Sequence, residues 1–374
     1  MNRTSLSLTF ALLSTLTLPA CGGEDDGGDS TSGADPEAAE FAEAVPTSDE
    51  LALSMDDGDE AALTDEAALE GGPSQLRAFA RQIFENVNAL REQAHARVEE
   101  LFEGALPVTV TKGSVECRRW EADGDAGRAH WRLTSCRRDA KNRHFAFELE
   151  GRPIDAGDEA YVIVMAGEGK VMARFDGKRR GAGRVGFNFD HLAELTGQEG
   201  PAGKLGIGYR AVGRVRQLNV GLRDFARAGD DTPVTGLYRY KHIVEVGGRV
   251  SLLAHGDLVA RDAEDRLTLG SDGLDELVRA AVAWNRGVGA RAAAAVCGGT
   301  VGEGECVRVL QCWQRSGEVS MEAVGDGGRF ERTECPRAAA GLDDVEDAPE
   351  ADDFEVPAGD ELPPEPGADG AEAE

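Results

Sequence analysis

Alternating apolar and polar residues recur along the middle of the chain, and this pattern restricts the fold more than any other feature of the sequence. The alternating runs cover 108–111, 144–149, 161–165, 170–175, 184–189, 214–220, 237–244 and 250–254, and Gly, Asp and Pro separate them. Because successive side chains of a strand point to opposite faces, such runs indicate strands with one buried face and one face in water. The sequence therefore predicts a mainly β (α+β) domain, built as a large antiparallel meander sheet or an open barrel.

A helical period precedes these strands. Apolar residues recur there at steps of three and four, namely Leu76, Phe79, Ile83, Val87, Leu90, Ala94, Val98 and Leu101. Ser74 is a suitable N-cap and Gly104 a suitable stop, so we predict one long amphipathic helix from Ser74 to Glu103, packed on the sheet. A short helix is predicted over 190–195. The segment 276–284 is assigned to a strand because its apolar residues alternate.

The first residues have the pattern of an export signal. A short basic start, Met1-Asn2-Arg3, precedes an apolar stretch over 6–18 that is too short to span a bilayer as a helix. The stretch ends at Leu18-Pro19-Ala20-Cys21, which resembles the lipobox of bacterial lipoproteins. The resemblance implies a lipid on the Cys21 thiol, removal of 1–20, and an outer-membrane anchor facing the periplasm or the cell surface. An ordinary signal peptide, cut near Ala20, is the alternative.

The cysteine count fits an exported protein. Of the seven cysteines, six remain besides Cys21: Cys117, Cys136, Cys297, Cys306, Cys312 and Cys335. An even number in an oxidising compartment predicts three disulfides. Because Cys117 and Cys136 flank a turn over 123–127, we pair them. We also pair Cys297 with Cys306 and Cys312 with Cys335, although three connectivities are possible for these last four.

The net charge of −29 belongs to two tails. Residues 21–72 hold 17 acids and residues 343–374 hold 14, with no Lys or Arg in either segment. Such segments bury too little apolar surface to fold, because their like charges repel and their aromatics are few. We therefore predict a signal peptide over 1–20, an acidic disordered tether over 21–72, a folded domain over 73–340 and an acidic disordered tail over 341–374.

Two further resemblances concern the folded part. A helix on an antiparallel sheet is similar in architecture to lipoprotein carriers of the LolA/LolB type. Three residue patterns resemble an uncharacterised family of predicted bacterial lipoproteins, which has no assigned activity. These patterns are Gly181, Gly183, Phe189 and Asp190; then Trp284, Asn285, Gly287 and Gly289; then Cys312 and Trp313.

No motif in the sequence predicts catalysis, a cofactor or a metal ion. The segment 181–186 matches GxGxxG, but an alternating strand follows it where a dinucleotide site requires a helix. His255 and Asp257 could form a base and its orienting carboxylate, but no nucleophile is implied beside them. The Asp123-Gly124-Asp125 segment is read as a turn. A basic patch could bind an anion, and it would comprise Lys178, Arg179, Arg180, Arg210, Arg214 and Arg216.

The sequence thus favours a non-enzymatic, lipid-anchored extracytoplasmic lipoprotein that acts as a structural, binding or interaction module. Its expected partners are the membrane, reached through Cys21, and an apolar or anionic envelope ligand. Nucleic acid is not expected, and no partner protein is implied. A carrier of an apolar or acyl ligand, held between helix and sheet, is the first alternative. A hydrolase whose site forms no local motif is the second.

Overall fold

The computed structural model describes residues 36–47, 49–53, 88, 92, 95–124, 127–141, 143–175, 178–226, 232–261, 267–285, 289–314 and 319–325. Fourteen strands within these residues form one antiparallel sheet. They are β1 (Val108–Lys112), β2 (Val115–Gly124), β3 (Ala129–Asp139), β4 (His144–Pro153), β5 (Val162–Phe175), β6 (Lys178–Asn188), β7 (Ala202–Val212), β8 (Val215–Ala226), β9 (Val234–Ile243), β10 (Gly247–Gly256), β13 (Glu276–Asn285), β14 (Gly289–Cys297), β15 (Cys306–Gln314) and β16 (Val319–Gly325).

The order of the strands follows the chain. Each strand pairs with its sequence neighbour, except that β11 (Val259–Arg261) and β12 (Leu267–Leu269) form a separate two-stranded ladder, so that β10 pairs with β13. This confirms the predicted antiparallel meander. It also confirms the assignment of 276–284 to a strand.

One face of the sheet carries the core, and we call it the inner face. Residues directly paired in an antiparallel ladder lie on the same face. One such row on the inner face runs through Phe147, Val185, Ile207 and Val220, whose exposed fractions are all at most 1 %. Burying each of these side chains contributes roughly 1.5–3 kcal/mol. The alternation seen in the sequence therefore holds the strands in register.

The inner face is covered in part by residues that precede the sheet. Helix α1 (Pro36–Ala42) and a 3₁₀ turn (Asp49–Leu51) bury Phe41 and Leu51 completely. This differs from the tether predicted over 21–72. The tether was predicted from the composition of the whole segment, which is dominated by acidic residues. Phe41, Leu51 and Leu53 nevertheless supply enough apolar surface to hold a short stretch on the sheet. Apart from 36–47 and 49–53, residues 21–72 lie outside the described residues.

The helix predicted from Ser74 to Glu103 is described only in part. Residues 88, 92 and 95–104 are helical, and we call the segment 95–104 α2. It buries Val98 and Leu101 in the same core as Phe41. Asn88 exchanges hydrogen bonds with the backbone of Leu53, at 2.9 and 2.8 Å. The other residues of the predicted helix lie outside the described residues.

The predicted short helix is confirmed as α3 (Phe189–Thr196). Its start is capped by Asn188, whose side-chain oxygen accepts a hydrogen bond from the backbone N–H of His191. Its end is set by Gly197, which adopts a left-handed conformation at φ 60°.

Two predicted disulfides are present among the described residues. Cys117 is bonded to Cys136 across the β2–β3 pair, and Cys297 to Cys306 across the β14–β15 pair. Cys312 is also disulfide-bonded. Cys335, its predicted partner, lies outside the described residues.

Candidate functional site on the inner face

An N-terminal segment lies across arginines of the sheet, and we call this segment, residues 36–47, the strap. Its Glu40 accepts hydrogen bonds from Arg137 at 3.0 Å and from Arg143 at 3.1 Å. Its Glu43 pairs with Arg143 at 3.4 Å and with Arg174 at 2.6 Å. Two carboxylates are thus shared among three guanidinium groups. The strap is held by charge as well as by burial.

Phe41 is the apolar centre of the strap. Its ring meets the Phe145 ring edge-on, with 5.3 Å between centroids. The guanidinium carbons of Arg118 and Arg137 lie 5.1 and 4.8 Å from the Phe41 centroid, within the range of a cation–π interaction. Ser135 donates a hydrogen bond to the Phe41 carbonyl at 3.1 Å. We call Arg118, Arg137, Arg143, Arg174 and Phe145 the arginine cradle.

The strap approaches the sheet closely at Gly169. A Cβ at this position would lie 3.0 Å from the carbonyl oxygen of Ala44 and 2.6 Å from the Tyr209 hydroxyl. At Gly183 a Cβ would overlap the Glu168 carbonyl. Gly183 belongs to the GxGxxG match, which therefore lies in a crowded strand and opens no helix.

The other side of the inner face is less completely covered. Paired residues of β9, β10, β13, β14 and β15 continue the core row there through Tyr238, Leu252, Ala280, Ala294 and Val309. Tyr238 and Leu252 keep 7 % of their surface exposed, and the remaining three are half-buried. Burial raises the pKa of Tyr238 to about 12. We call these five residues the open row.

Aromatic side chains lie next to the open row on the same strands. The rings of Tyr240, His242 and Trp284 lie with centroids 6.1 to 6.3 Å apart, and all three are buried. Gly248 makes room for them, because a Cβ there would lie 2.6 Å from the Trp284 ring. This end of the inner face is therefore apolar and aromatic.

A polar cluster lies at the other end of β10 and β13. The carboxylate of Glu276 is fully buried and accepts hydrogen bonds from the backbone N–H groups of Leu258, Val259 and Thr300. These bonds hold the β11–β12 ladder and the following 3₁₀ turn (Gly299–Val301) against the sheet. Among the described residues, no group of three or more His, Cys, Asp or Glu side chains could hold a metal ion.

His255 does not pair with Asp257, which agrees with the absence of a catalytic motif in the sequence around them. Asp257 instead accepts hydrogen bonds from the Ser271 hydroxyl and from the backbone N–H groups of Asp272 and Gly273. Burial opposes ionisation of Asp257, but these donors outweigh it and hold its pKa below the ordinary value of 3.8. His255 is exposed on β10.

The arginines considered as a possible basic patch do not all share a face. Arg216 pairs with Ala211 on the inner face, whereas Arg210 pairs with Gln217 on the opposite face. Arg180 donates to the Gly213 carbonyl and lies over Phe175. The side chains of Lys178 and Arg179 lie outside the described residues. Asp123 lies at the end of β2, where its carboxylate is 2.6 Å from Nδ1 of His130.

Sequence reasoning missed the arginine cradle. Arg118, Arg137 and Arg143 lie on or beside separate strands, and only the register of β2, β3 and β4 brings them together. Phe41 was the available signal, because it is the only aromatic residue in 21–72. Cys21 lies outside the described residues.

The chain matches no known family model, and no curated protein or solved structure gives a significant match. In the part of the chain that the structure describes, no helix is long and apolar enough to cross a membrane.

Proposed function

We propose that the protein is a lipid-anchored binding module of the bacterial envelope that holds an apolar ligand, such as an acyl chain, along the open row. We assign it no reaction. The observation that supports this proposal is a difference in side-chain exposure along one row of paired residues. The row is completely buried at Ile207 and Val220, stays buried at Tyr238 and Leu252 with 7 % of their surface exposed, and becomes half-buried at Ala280, Ala294 and Val309.

The chemistry of the open row favours an apolar ligand. When a ligand removes exposed apolar surface from water, the complex is stabilised by roughly 25 cal/mol per Å² of that surface. Ala280 and Ala294 present only a methyl group on this face and are half-buried, so a ligand could pack on them. Tyr238 stays protonated at neutral pH, since burial raises its pKa to about 12, and it therefore adds no charge.

The membrane anchor is supported by the sequence alone. The apolar stretch over 6–18 and the lipobox-like end at Cys21 have the order of a lipoprotein signal. Acyl chains on Cys21 would hold the protein at the outer membrane, facing the periplasm or the cell surface, where acyl-bearing molecules are at hand.

The test compares alanines on opposite faces of the same ladder. Ala280 pairs with Ala294 on the inner face, and Ala281 pairs with Ala293 on the other face. All four are half-buried. We expect Ala280→Phe and Ala294→Phe to weaken binding of the fluorescent probe N-phenylnaphthylamine about tenfold or more, because the new rings occupy the space of the ligand.

The matched controls are Ala281→Phe and Ala293→Phe, which should bind the probe as the wild type does. Circular dichroism and thermal unfolding identify any variant that fails to fold, and Ala280→Val then replaces it with a smaller obstruction. Absence of probe binding to the wild type, or equal weakening by inner-face and outer-face variants, refutes the open row as the site.

A further inference from the structure

The acidic tail contains a segment whose sequence is similar to that of the strap on the arginine cradle. The strap reads Glu-Phe-Ala-Glu-Ala-Val-Pro over 40–46, and the tail reads Asp-Phe-Glu-Val-Pro over 353–357. Without Ala42 and Ala44, the strap sequence becomes Glu-Phe-Glu-Val-Pro. The two segments then differ only by Glu against Asp at the first position.

The matching residues include those that make the ring and charge contacts, whereas the buried Ala44 has no counterpart in the tail. In the strap, Phe41 packs on Phe145, the carboxylates of Glu40 and Glu43 pair with arginines, and Val45 is buried. The two omitted alanines carry no charge. Phe354 is the only aromatic residue in 341–374, as Phe41 is in 21–72. Each of these two acidic segments thus has one aromatic residue, and each aromatic residue lies between two acidic residues.

We propose that the tail segment Asp353–Pro357 of the same chain is an alternative occupant of the arginine cradle and exchanges with the strap. Phe354 would take the place of Phe41 against Phe145. Asp353 and Glu355 would take the places of Glu40 and Glu43. This goes beyond the proposed function and does not depend on the open row.

The spacing of the charges permits this exchange. Residues three apart on a helix have Cβ atoms about 5–6 Å apart, as Glu40 and Glu43 do in or just after α1. Residues two apart on an extended chain are separated by about 6.6 Å. In an extended conformation, Asp353 and Glu355 would therefore present their carboxylates at a similar separation.

The strap is attached partly through exposed charge pairs, besides the buried Phe41 and Val45. Its charge partners Arg143 and Arg174 have side chains 41 % and 58 % exposed, and pairs this exposed contribute little in water and less in salt. Helix α1 has only seven residues, which is too short to be stable without its tertiary contacts.

The tail is long enough to reach the cradle. Only 28 residues separate Gly325, at the end of β16, from Phe354, and such a length spans up to about 95 Å when extended. Ten strand spacings separate β16 from β4, which amounts to at most about 48 Å across the sheet. For a flexible linker of such a length, the effective local concentration is near the millimolar range.

The test places the photo-crosslinking residue benzoylphenylalanine at position 354 of the full-length mature chain. After irradiation, mass spectrometry locates the crosslinked peptides. We expect crosslinks to the peptides that contain Arg118, Arg137 or Phe145. Glu40→Gln with Glu43→Gln should raise their yield roughly tenfold, because it weakens the competing strap. Arg137→Ala in the same background should abolish the increase.

The matched control has benzoylphenylalanine at position 345 of the same tail, which should crosslink to no single site. Mixing isotopically labelled and unlabelled chains separates crosslinks within one chain from those between two. The proposal is overturned if position 354 crosslinks no more specifically than position 345, if weakening the strap leaves the yield unchanged, or if the crosslinks join two chains.

Discussion

At the scale of single residues, buried carboxylates define the polar cluster beyond the open row. Glu276 and Asp257 are almost completely removed from water, and backbone N–H groups donate to both. Charge-assisted hydrogen bonds of this kind are stronger than neutral ones, and a donor that loses its partner remains desolvated. These two residues therefore hold the surrounding loops in place.

Asp257→Asn should destabilise the protein in a pH-dependent way. The pKa of Asp257 is lower in the folded state than its ordinary value of 3.8. Its ionised form therefore contributes stability above that value, and the contribution is lost as the pH falls through the folded pKa. We expect a loss of about 1–3 kcal/mol at pH 7 in urea unfolding, which shrinks below pH 3.8.

The control for that measurement is Asp158→Asn, because the Asp158 side chain is 84 % exposed. It should change the unfolding midpoint little at either pH. A constant deficit for Asp257→Asn from neutral to acidic pH would show that the lost hydrogen-bond geometry, and not the charge, accounts for the effect.

At the scale of helices and strands, the sequence predicted those elements whose apolar residues recur with a regular local period. Apart from their first residues, the runs 161–165 and 214–220 lie within β5 and β8, and the alternation of 276–284 identified β13. The strap was missed because seven helical residues within an acidic segment have no period strong enough to detect. Its position depends on Phe145 and on arginines roughly a hundred residues away in the chain, which no local window contains.

The two described disulfides allow a prediction about ladder stability. Replacing Cys117 and Cys136 with alanine should lower the free energy of unfolding by about 3 kcal/mol, because the bond closes a loop with a sequence separation of 19. Replacing Cys297 and Cys306 should cost about half a kcal/mol less, since their separation is 9. Denaturant unfolding of each double variant measures both losses. A larger cost for the shorter loop would contradict this account.

At the scale of the whole molecule, the proposed anchor can be tested independently of any ligand. We expect Cys21→Ser to move the protein from the detergent-rich to the aqueous phase when cells are extracted with Triton X-114. The mass of the mature wild-type N-terminus should include acyl groups on Cys21. Membrane retention of Cys21→Ser, or a wild-type protein that keeps its Met1 leader, would rule out the lipoprotein assignment.

The nearest-neighbour order of the sheet has a consequence for how the chain matures. Every ladder from β1 to β10 joins consecutive strands, so each new strand pairs with the strand that was synthesised just before it. Short-range pairing of this kind favours rapid folding and leaves few unpaired edges during synthesis. If the chain emerges from a translocation pore with its amino end leading, the strap and the first hairpins meet before β16 exists, so the N-terminal segment reaches the cradle before its C-terminal rival.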